Sequence, residues 1–331
     1  MVRFIINRVG SLIGVLIVLS IVVFVVQRIS GADPVRSYLG ANSSAAAVER
    51  MREHLGLDQP LFKQYLDYVW NALHGNLGLS LSTQRPVTTE LAARVPATFE
   101  LAIWAITLSV IIAIVLSRLC SVRGWGGGII RFVFFSAASA PSFLLATAGL
   151  LLFFGQLHVL PAQGRTSFPP LTGPTGFYVL DGLLDGDPLY AWDAAQHLFL
   201  PALAASIGPG IALARVLADG LDTGAKSGYA KTARSLGETE GAILFRHSLR
   251  NASSPAMSFL GVQIGLMLSS LVVVEQIFSW NGLGQYLTAA ISVADLASVA
   301  AISLILGGAY VLINSIVDIL LAVVDPRLRT L

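Results

Sequence analysis

The chain has 331 residues, of which 55% are hydrophobic and only 12% are charged, and its mean hydropathy is +0.73. Several apolar runs are too long for ordinary core helices, so the bilayer is the expected solvent and the protein is predicted to be integral to a membrane. The formal net charge of +2 gives no indication of a nucleic-acid partner, and a single cysteine excludes an intrachain disulfide and a thiolate metal cluster.

Six windows contain no Asp, Glu, Lys, Arg or His, and each is close to the roughly 20 residues that a helix needs to cross the hydrocarbon. They predict transmembrane helices over residues 9–26, 101–117, 132–154, 198–214, 256–274 and 296–317. The first window follows Arg3 and Arg8 and therefore resembles a signal peptide. Its apolar core exceeds the usual length of roughly 7–15 residues and no A-x-A cleavage site follows, so we interpret it as a retained anchor.

Basic residues indicate which side of the membrane each connection occupies. With six spans both termini lie on one side, and 13 of the 21 Lys and Arg fall in the short segments of that side, which the positive-inside rule assigns to the cytoplasm. Seven of the other eight lie in one long segment between the first two spans. Because long segments cross the membrane largely regardless of charge, these seven do not overturn the orientation.

The long outer segment, residues 29–96, is predicted to hold two helices. Ser43 and Ser44 can cap the first helix and Gly56 can end it, while Asp58 can cap a second helix with Pro60 in its first turn. The second helix carries an apolar stripe formed by Leu61, Tyr65, Val69 and Leu73. We expect this amphipathic pair to cover the outer mouth, the alternative being an exposed linker. A second outer segment, residues 155–197, is rich in Pro and Gly and is predicted to be a loop with turns.

Ionisable groups are confined to the ends of the spans: Glu100 opens the second, Glu275 closes the fifth, and Asp318 lies near the end of the sixth. Carriers driven by ions or protons usually accept the cost of a charge at mid-bilayer, so any transport here must draw energy from elsewhere. Pro and Gly interrupt the fourth span at Pro201 and at residues 208–210, which predicts a kink or local unwinding. These residues are either tolerated packing kinks or part of a bent helix that lines a path.

Motifs for catalysis are not found. The five histidines have no metal-ligand spacing, and neither H-E-x-x-H nor G-x-S-x-G occurs. The stretch "GLDTGAKS", residues 220–227, resembles a phosphate-binding loop, but Ala225 separates the glycine from the lysine and a membrane helix rather than a strand precedes it. We therefore assign no catalytic, cofactor-binding or metal-binding residue to this chain.

The passage "YAKTARSLGETEGAILFRHSLRNASSP", residues 229–255, is basic and contains two helical patterns with Gly237 between them. An apolar stripe recurs at three- and four-residue steps through Ala242, Phe245, Leu249 and Ala252. Small side chains at Ala230 and Ala233 permit close approach on the other helix. Such a segment can seat a short helix in a partner's groove as a rigid lever. A loop that only fixes topology by its charge would explain neither the glycine nor the stripe.

This passage resembles the EAA loop of the permeases of ATP-binding-cassette importers, with Ala233, Gly237 and Pro255 at the positions of the family's pattern. The B-type oligopeptide and dipeptide permeases are the most similar. Further matching stretches are "GADPV", "HLGLDQPLFKQY", "GNLGLSLSTQRPV", "RVPATFELA", "APSF", "LPAQG", "VVVEQIFSWNGLGQ" and "DPRLR". The resemblance thus covers nearly the whole chain.

The sequence departs from the family's pattern at three positions. Thr232 replaces the acidic first residue of the EAA triplet, Asn281 stands where a proline precedes "GLG", and Ala297 stands where the family often has proline. These departures concern local turns and leave the assignment unchanged.

The resemblance implies an all-α integral membrane protein with six transmembrane helices and the type I permease fold of ABC importers. It implies partners as well: a second homologous permease, two ATPase subunits that bind ATP and Mg, an extracytoplasmic solute-binding protein, and a peptide as cargo. The chain would then lie in the bacterial cytoplasmic membrane and would not itself be an enzyme. Glutathione, nickel chelates or oligosaccharides are alternative cargoes on the same fold. A self-sufficient channel or secondary carrier is an alternative of another class.

Three segments follow from this interpretation: a first transmembrane helix over residues 1–28, an extracytoplasmic segment over 29–96, and a core permease domain over 97–331 with a cytoplasmic coupling loop at 219–256. The residues expected to couple to the ATPases are Tyr229, Thr232, Ala233, Arg234, Gly237, Phe245, Arg246, Leu249 and Arg250. The residues expected to line a path are Pro141, Gly208, Pro209 and Gly210.

Overall fold

The computed structural model describes residues 2–29, 35, 44–54, 56–120, 140–171, 173–243 and 248–324, and its regular structure is helical. The helices are α1 (Val2–Ile29), α2 (Ala45–His54), α3 (Leu61–Leu73), α4 (Val87–Cys120), α5 (Ser142–Gly149, continued by a π-helical segment, Leu150–Gln156), α6 (Tyr178–Leu184), α7 (Pro188–Lys226), α8 (Gly228–Ser235), α9 (Glu240–Ala242), α10 (Leu249–Ile277), α11 (Leu283–Ser292) and α12 (Leu296–Val324).

Five of these helices are long and apolar enough to cross a membrane, namely α1, α4, α7, α10 and α12. They confirm five of the six predicted spans. For the third span the structure shows a shorter apolar helix, Ser142–Gln156, and the first part of the predicted window lies outside the described residues. The chain is therefore an all-helical, multi-pass membrane protein.

The fourth span is much longer than the uncharged window that predicts it. Helix α7 has 39 residues, and it begins where the Asp187 side chain accepts hydrogen bonds from the backbone N–H groups of Leu189 and Tyr190, with Pro188 in the first turn. The helix continues without interruption past Pro201 and Pro209, so local unwinding at these residues does not occur.

The second outer segment contains more helix than was predicted. Besides the first turns of α7 it holds α6, whose Asp181 is buried and accepts hydrogen bonds from the backbone N–H of Thr175 and of Gly176. The expectation of a loop with turns is therefore wrong for residues 178–184 and from residue 188 onward. A buried carboxylate that organises a turn around a short helix is not visible as a periodic pattern in the sequence.

Helix α4 begins at Val87 and not near residue 101, so Glu100 lies well inside the helix instead of opening it. Its carboxylate is buried and accepts a 2.6 Å hydrogen bond from the Arg165 guanidinium. The same guanidinium stacks 3.7 Å above the ring of Tyr178. A paired and stacked arginine makes burial of the Glu100 charge tolerable at this position.

In the long outer segment both predicted helices are present. Ser44 caps α2, accepting from the backbone N–H of Ala47 at 3.3 Å, and Gly56 follows with φ +63°, as predicted. The prediction that Asp58 caps the next helix is wrong, because Pro60 is the residue before α3 and no side chain caps it.

The chain divides into two compact units. One comprises Pro96–Gly284 with Leu312–Leu331, and in it α7 packs against α5, α6, α8 and α10. The other comprises Val2–Val95 with Gln285–Val311. In this second unit the buried Asp295 carboxylate accepts 2.7 Å hydrogen bonds from the Ser80 hydroxyl, the Leu81 N–H and the Ser298 hydroxyl. That carboxylate joins the segment before α4 to the start of α12.

Candidate functional site

The passage singled out in the sequence forms two short helices with a tight turn between them. Helix α8 starts at a Ser227 cap whose hydroxyl accepts from the Ala230 N–H at 3.4 Å, and α9 starts at a Thr239 cap that accepts from the Ala242 N–H at 3.3 Å. Gly237 lies between them with φ +81°, in the left-handed region that favours glycine. The structure thus confirms two helices with Gly237 between them and shows that the glycine forms a left-handed turn.

An ion pair between Arg234 and Glu240 connects the two helices on either side of this turn. The Arg234 guanidinium binds both carboxylate oxygens of Glu240, with one contact at 3.0 Å, and donates a further 3.0 Å hydrogen bond to the carbonyl oxygen of Ala225. The hydrogen bond to Glu240 raises the pKa of Arg234 above its ordinary value, so the guanidinium stays charged at physiological pH. Arg234 therefore connects the end of α7, helix α8 and the start of α9.

The two alanines of α8 face the chain itself and not a partner. Ala230 and Ala233 are buried and form a small apolar cluster with Ile243. Two other residues expected to couple to the ATPases, Tyr229 and Thr232, are exposed, while the hydroxyl of Tyr229 lies against α7. The expectation that Ala233 itself contacts a partner does not fit this burial, because its side chain already packs inside the loop.

Leu236 is a surface residue that sequence reasoning missed. It follows α8 directly, and its side chain is 78% exposed next to the Gly237 turn. An exposed leucine directly after a polar, capped helix is an apolar side chain available for contact with another protein. The sequence feature that could have identified Leu236 was its position directly before Gly237.

The later part of the apolar stripe turns inward. Ala252 is buried in a core cluster of the first unit, and Leu249 is half-buried against that cluster, so neither is a free docking residue. Phe245 and Arg246 lie outside the described residues, and for Arg250 only the helical backbone is described. Their role in coupling stays a prediction.

Gly224 allows the end of α7 to approach the start of α10 closely. A Cβ at this position would lie 2.8 Å from both the Tyr229 hydroxyl oxygen and the Ser248 side chain. The absence of a side chain at Gly224 therefore allows Tyr229 and Ser248 to pack against α7. The loop that leaves the end of α7 thus enters α10 directly beside α7.

A cavity of about 550 Å³ opens between α5, α7 and α10 in the same unit. Its lining is mostly small and apolar. The polar groups on it are the side chains of Ser142, Arg215, Gln263 and Ser270. A cavity with few polar groups among helices of one bundle is the usual form of a solute site or path.

The predicted path residues divide into two groups. Gly208 and Pro209 line the cavity, and their role in a path stays a prediction. Gly210 is buried instead, and a Cβ there would lie 2.9 Å from the Ile112 side chain, so its role is close packing of α7 on α4. Pro141 is exposed at the start of α5, beside the lining residue Ser142. Gln263, missed in the sequence, was marked by its position as a polar residue within an apolar span.

Among the residues that the structure describes, no three His, Cys, Asp or Glu side chains come together as a metal site. The geometry instead combines a capped helix–turn–helix with a cavity lined by the helix that precedes it. These features are those of a helical, multi-pass membrane protein in which one long helix connects a loop to a cavity.

The comparisons with known proteins give the same result. The family described as binding-protein-dependent transport system inner membrane component matches residues 105–330, and its N-terminal companion family matches residues 1–102. The chain belongs to this family of transport permeases.

Three curated relatives match almost from end to end. The chain is 36% identical to the probable D,D-dipeptide transport system permease DdpB of Escherichia coli K12, over 97% of this chain and 96% of the relative. It is 32% identical to the dipeptide transport system permease DppB of Alkalihalophilus pseudofirmus, over 99% and 100%. It is 30% identical to the glutathione transport system permease GsiC of Escherichia coli K12, over 99% of each chain. The resemblance drawn from the motifs is thereby confirmed.

Proposed function

We propose that this chain is the permease subunit of an ATP-driven importer of dipeptides or short oligopeptides. Together with a second, homologous permease it forms the translocation path, two ATPase subunits bind its α8–α9 loop, and an extracytoplasmic binding protein delivers the solute. The full-length match to permeases named for dipeptide transport supports the cargo. ATP and Mg are bound by the ATPase subunits, and both termini of this chain are cytoplasmic.

The observation that carries the proposal is the construction of the loop. Exposed Tyr229 and Thr232 lie on helix α8 and exposed Leu236 directly follows it, and this helix is capped at Ser227 and bonded to α7 through Arg234. Because the base of this helix is bonded to α7, displacement of its exposed surface by a bound partner would move α7 as well. The same α7 lines the cavity with Gly208 and Pro209, so one helix connects the ATPase contact to the path.

Glutathione import is the second candidate, favoured by the 30% identity to the GsiC permease over 99% of both chains. Glutathione is itself a small peptide, so the two candidates share the same path and differ in the binding protein. A self-sufficient channel has no observation in its favour in the described part of the chain.

The test is uptake by proteoliposomes that hold this chain with the second permease and the ATPases encoded beside it, supplied with their binding protein. Radiolabelled dipeptide should accumulate only when ATP is present on the side of the membrane where the ATPases lie. Unlabelled dipeptide should inhibit this uptake more strongly than glutathione does. Uptake by this chain alone would contradict the proposal. Stronger competition by glutathione would identify glutathione as the cargo and leave the proposed transport mechanism unchanged.

A further inference from the structure

Helix α3 contacts α1 through one of its surfaces. The Tyr65 ring packs against Phe24 at 5.5 Å between centroids and its hydroxyl shares a 2.8 Å hydrogen bond with Ser20, while the Tyr68 ring lies 6.0 Å from Phe24. The side chains of Arg28 and Gln64 also bond to each other. Helix α3 is thus fixed beside the carboxy-terminal part of α1.

A second surface of α3 is polar. Lys63, Asp67 and Asn71 are exposed and follow one another at four-residue steps, which places them along one side of the helix. This side suits contact with water or with lipid head groups.

The third surface is apolar and largely exposed, and within it the Trp70 ring lies 4.2 Å from the ring of His74, measured between centroids. It lies between the α1 contact and the polar side. Its residues, with their exposed fractions, are Phe62 at 74%, Leu66 at 49%, Trp70 at 64% and Leu73 at 78%. Four large apolar side chains along one stripe form a patch that soluble surfaces seldom leave in water.

The contact with α1 gives the depth of this helix. The apolar span of α1 ends at Ile29, and at 1.5 Å per residue Phe24 lies about 8 Å and Ser20 about 13 Å from that end. Amphipathic helices that bind membranes sink about 5–10 Å into the boundary between head groups and acyl chains. Both tyrosine rings contact Phe24 within this range, and only the Tyr65 hydroxyl reaches deeper, to Ser20, so α3 lies at the depth of an interfacial helix.

We propose that α3 is a lipid anchor, with Phe62, Leu66 and Trp70 inserted into the bilayer leaflet at the carboxy-terminal end of α1. Helix α1 is itself exposed along its apolar span, with Val18 and Val22 among its exposed residues. Trp70 has the amphipathic ring that is enriched at membrane interfaces. The polar side then faces the head groups. This assignment depends on the membrane fold and not on the direction in which the chain crosses.

The anchor has a consequence for the segment that follows. Residues 74–86 leave α3 and meet Asp295 through Ser80 and Leu81 in the same unit. Lipid contact on α3 and the buried carboxylate would then fix this segment at both ends.

The proposal is tested by nitroxide scanning of α3 in the full complex, reconstituted in liposomes. Single cysteines replace Phe62, Leu66 and Trp70 on the apolar side, and Lys63, Asp67 and Asn71 on the polar side, in a Cys120→Ser background with cysteine-free partner subunits. All six positions are exposed, so each label is accommodated without repacking. Val18→Cys on α1 serves as the lipid-facing reference. Collision rates are measured with oxygen, which partitions into lipid, and with a water-soluble nickel chelate.

We expect a higher ratio of oxygen to nickel collisions on the apolar side than on the polar side, approaching the ratio at Val18. High nickel accessibility on both sides would show an exposed linker and overturn the proposal. Shielding of the apolar side from both reagents would also overturn it, because a protein surface, either the second permease or a cover over the outer mouth, would then occupy the stripe.

Discussion

Replacing Gly237 by valine should weaken the coupling loop through its backbone alone. The glycine has φ +81°, and a Cβ built on it meets no atom within 4 Å, so no clash contributes. A non-glycine residue in this region costs about 1–2 kcal/mol, and a β-branched one is a genuine outlier. With about 1–3 kcal/mol of backbone strain, the native turn loses about 5- to 150-fold in relative population.

The consequence is read from assembly and transport. The variant should insert into the membrane normally, since the turn lies outside the apolar spans. Co-purification of the ATPases, or uptake per ATP hydrolysed, should fall in the reconstituted complex. Gly241→Val is the matched control: Gly241 is exposed, has no atom within 4 Å of a Cβ and lacks the left-handed φ, so its effect should be small.

A graded variant sharpens the test. Asparagine tolerates the left-handed region better than valine does, so Gly237→Asn should retain more coupling than Gly237→Val. If Gly237→Val binds the ATPases and transports at the wild-type rate, the turn is dispensable and the basic loop only marks topology.

Three further predictions concern orientation, cavity and stability. A single cysteine at exposed Arg85 should react with an impermeant thiol reagent on intact cells, whereas one at exposed Ser235 should not, in a Cys120→Ser background; the reverse result would invert the chain. Gly208→Trp projects a large ring from α7, where a Cβ meets no atom within 4 Å, into the cavity, so uptake should be blocked while ATPase co-purification stays normal; unchanged uptake would show that the cavity is not the path. Asp295→Ala removes the acceptor of five hydrogen bonds, donated by the Ser80 and Ser298 hydroxyls and by the N–H groups of Leu81, Ser82 and Ser298, at about 1–3 kcal/mol per buried donor left unsatisfied, so the thermal midpoint in detergent should fall clearly, and an unchanged midpoint would contradict the buried network.

The spans were predictable because burial in lipid requires long uncharged windows, and this requirement is local in sequence. Their true lengths were not. Helix α7 starts at the Asp187 cap, and α4 continues past Glu100 because Arg165, distant in sequence, pairs with that carboxylate. A charged residue that marks the end of an uncharged window in the sequence can thus lie within a helix when a residue from another segment pairs with it.

The coupling loop shows the same limit on a smaller scale. Its break at Gly237 was predictable, since few residues other than glycine adopt a left-handed turn. Which apolar residues face outward was not predictable, because the periodicity of the sequence indicates an apolar stripe but not whether the same chain or a partner covers it. Ala233 meets Ile243 of the same loop, Ala252 joins the core, and Leu236, outside the stripe, is exposed.

The mechanical connection between loop and cavity depends on how α8 is attached. The Arg234 guanidinium binds the carbonyl of Ala225 in the last turn of α7, and Ser227 ends α7 while capping α8. Displacement of α8 by an ATPase must either break these contacts or move the end of α7 with it. Pro209 lies 18 residues before Ser227, about 27 Å along an unbroken helix. Because a helix is stiff over that length, a tilt imposed at its end would also shift the wall of the cavity, and in the proposed mechanism the Arg234 and Ser227 contacts would transmit it.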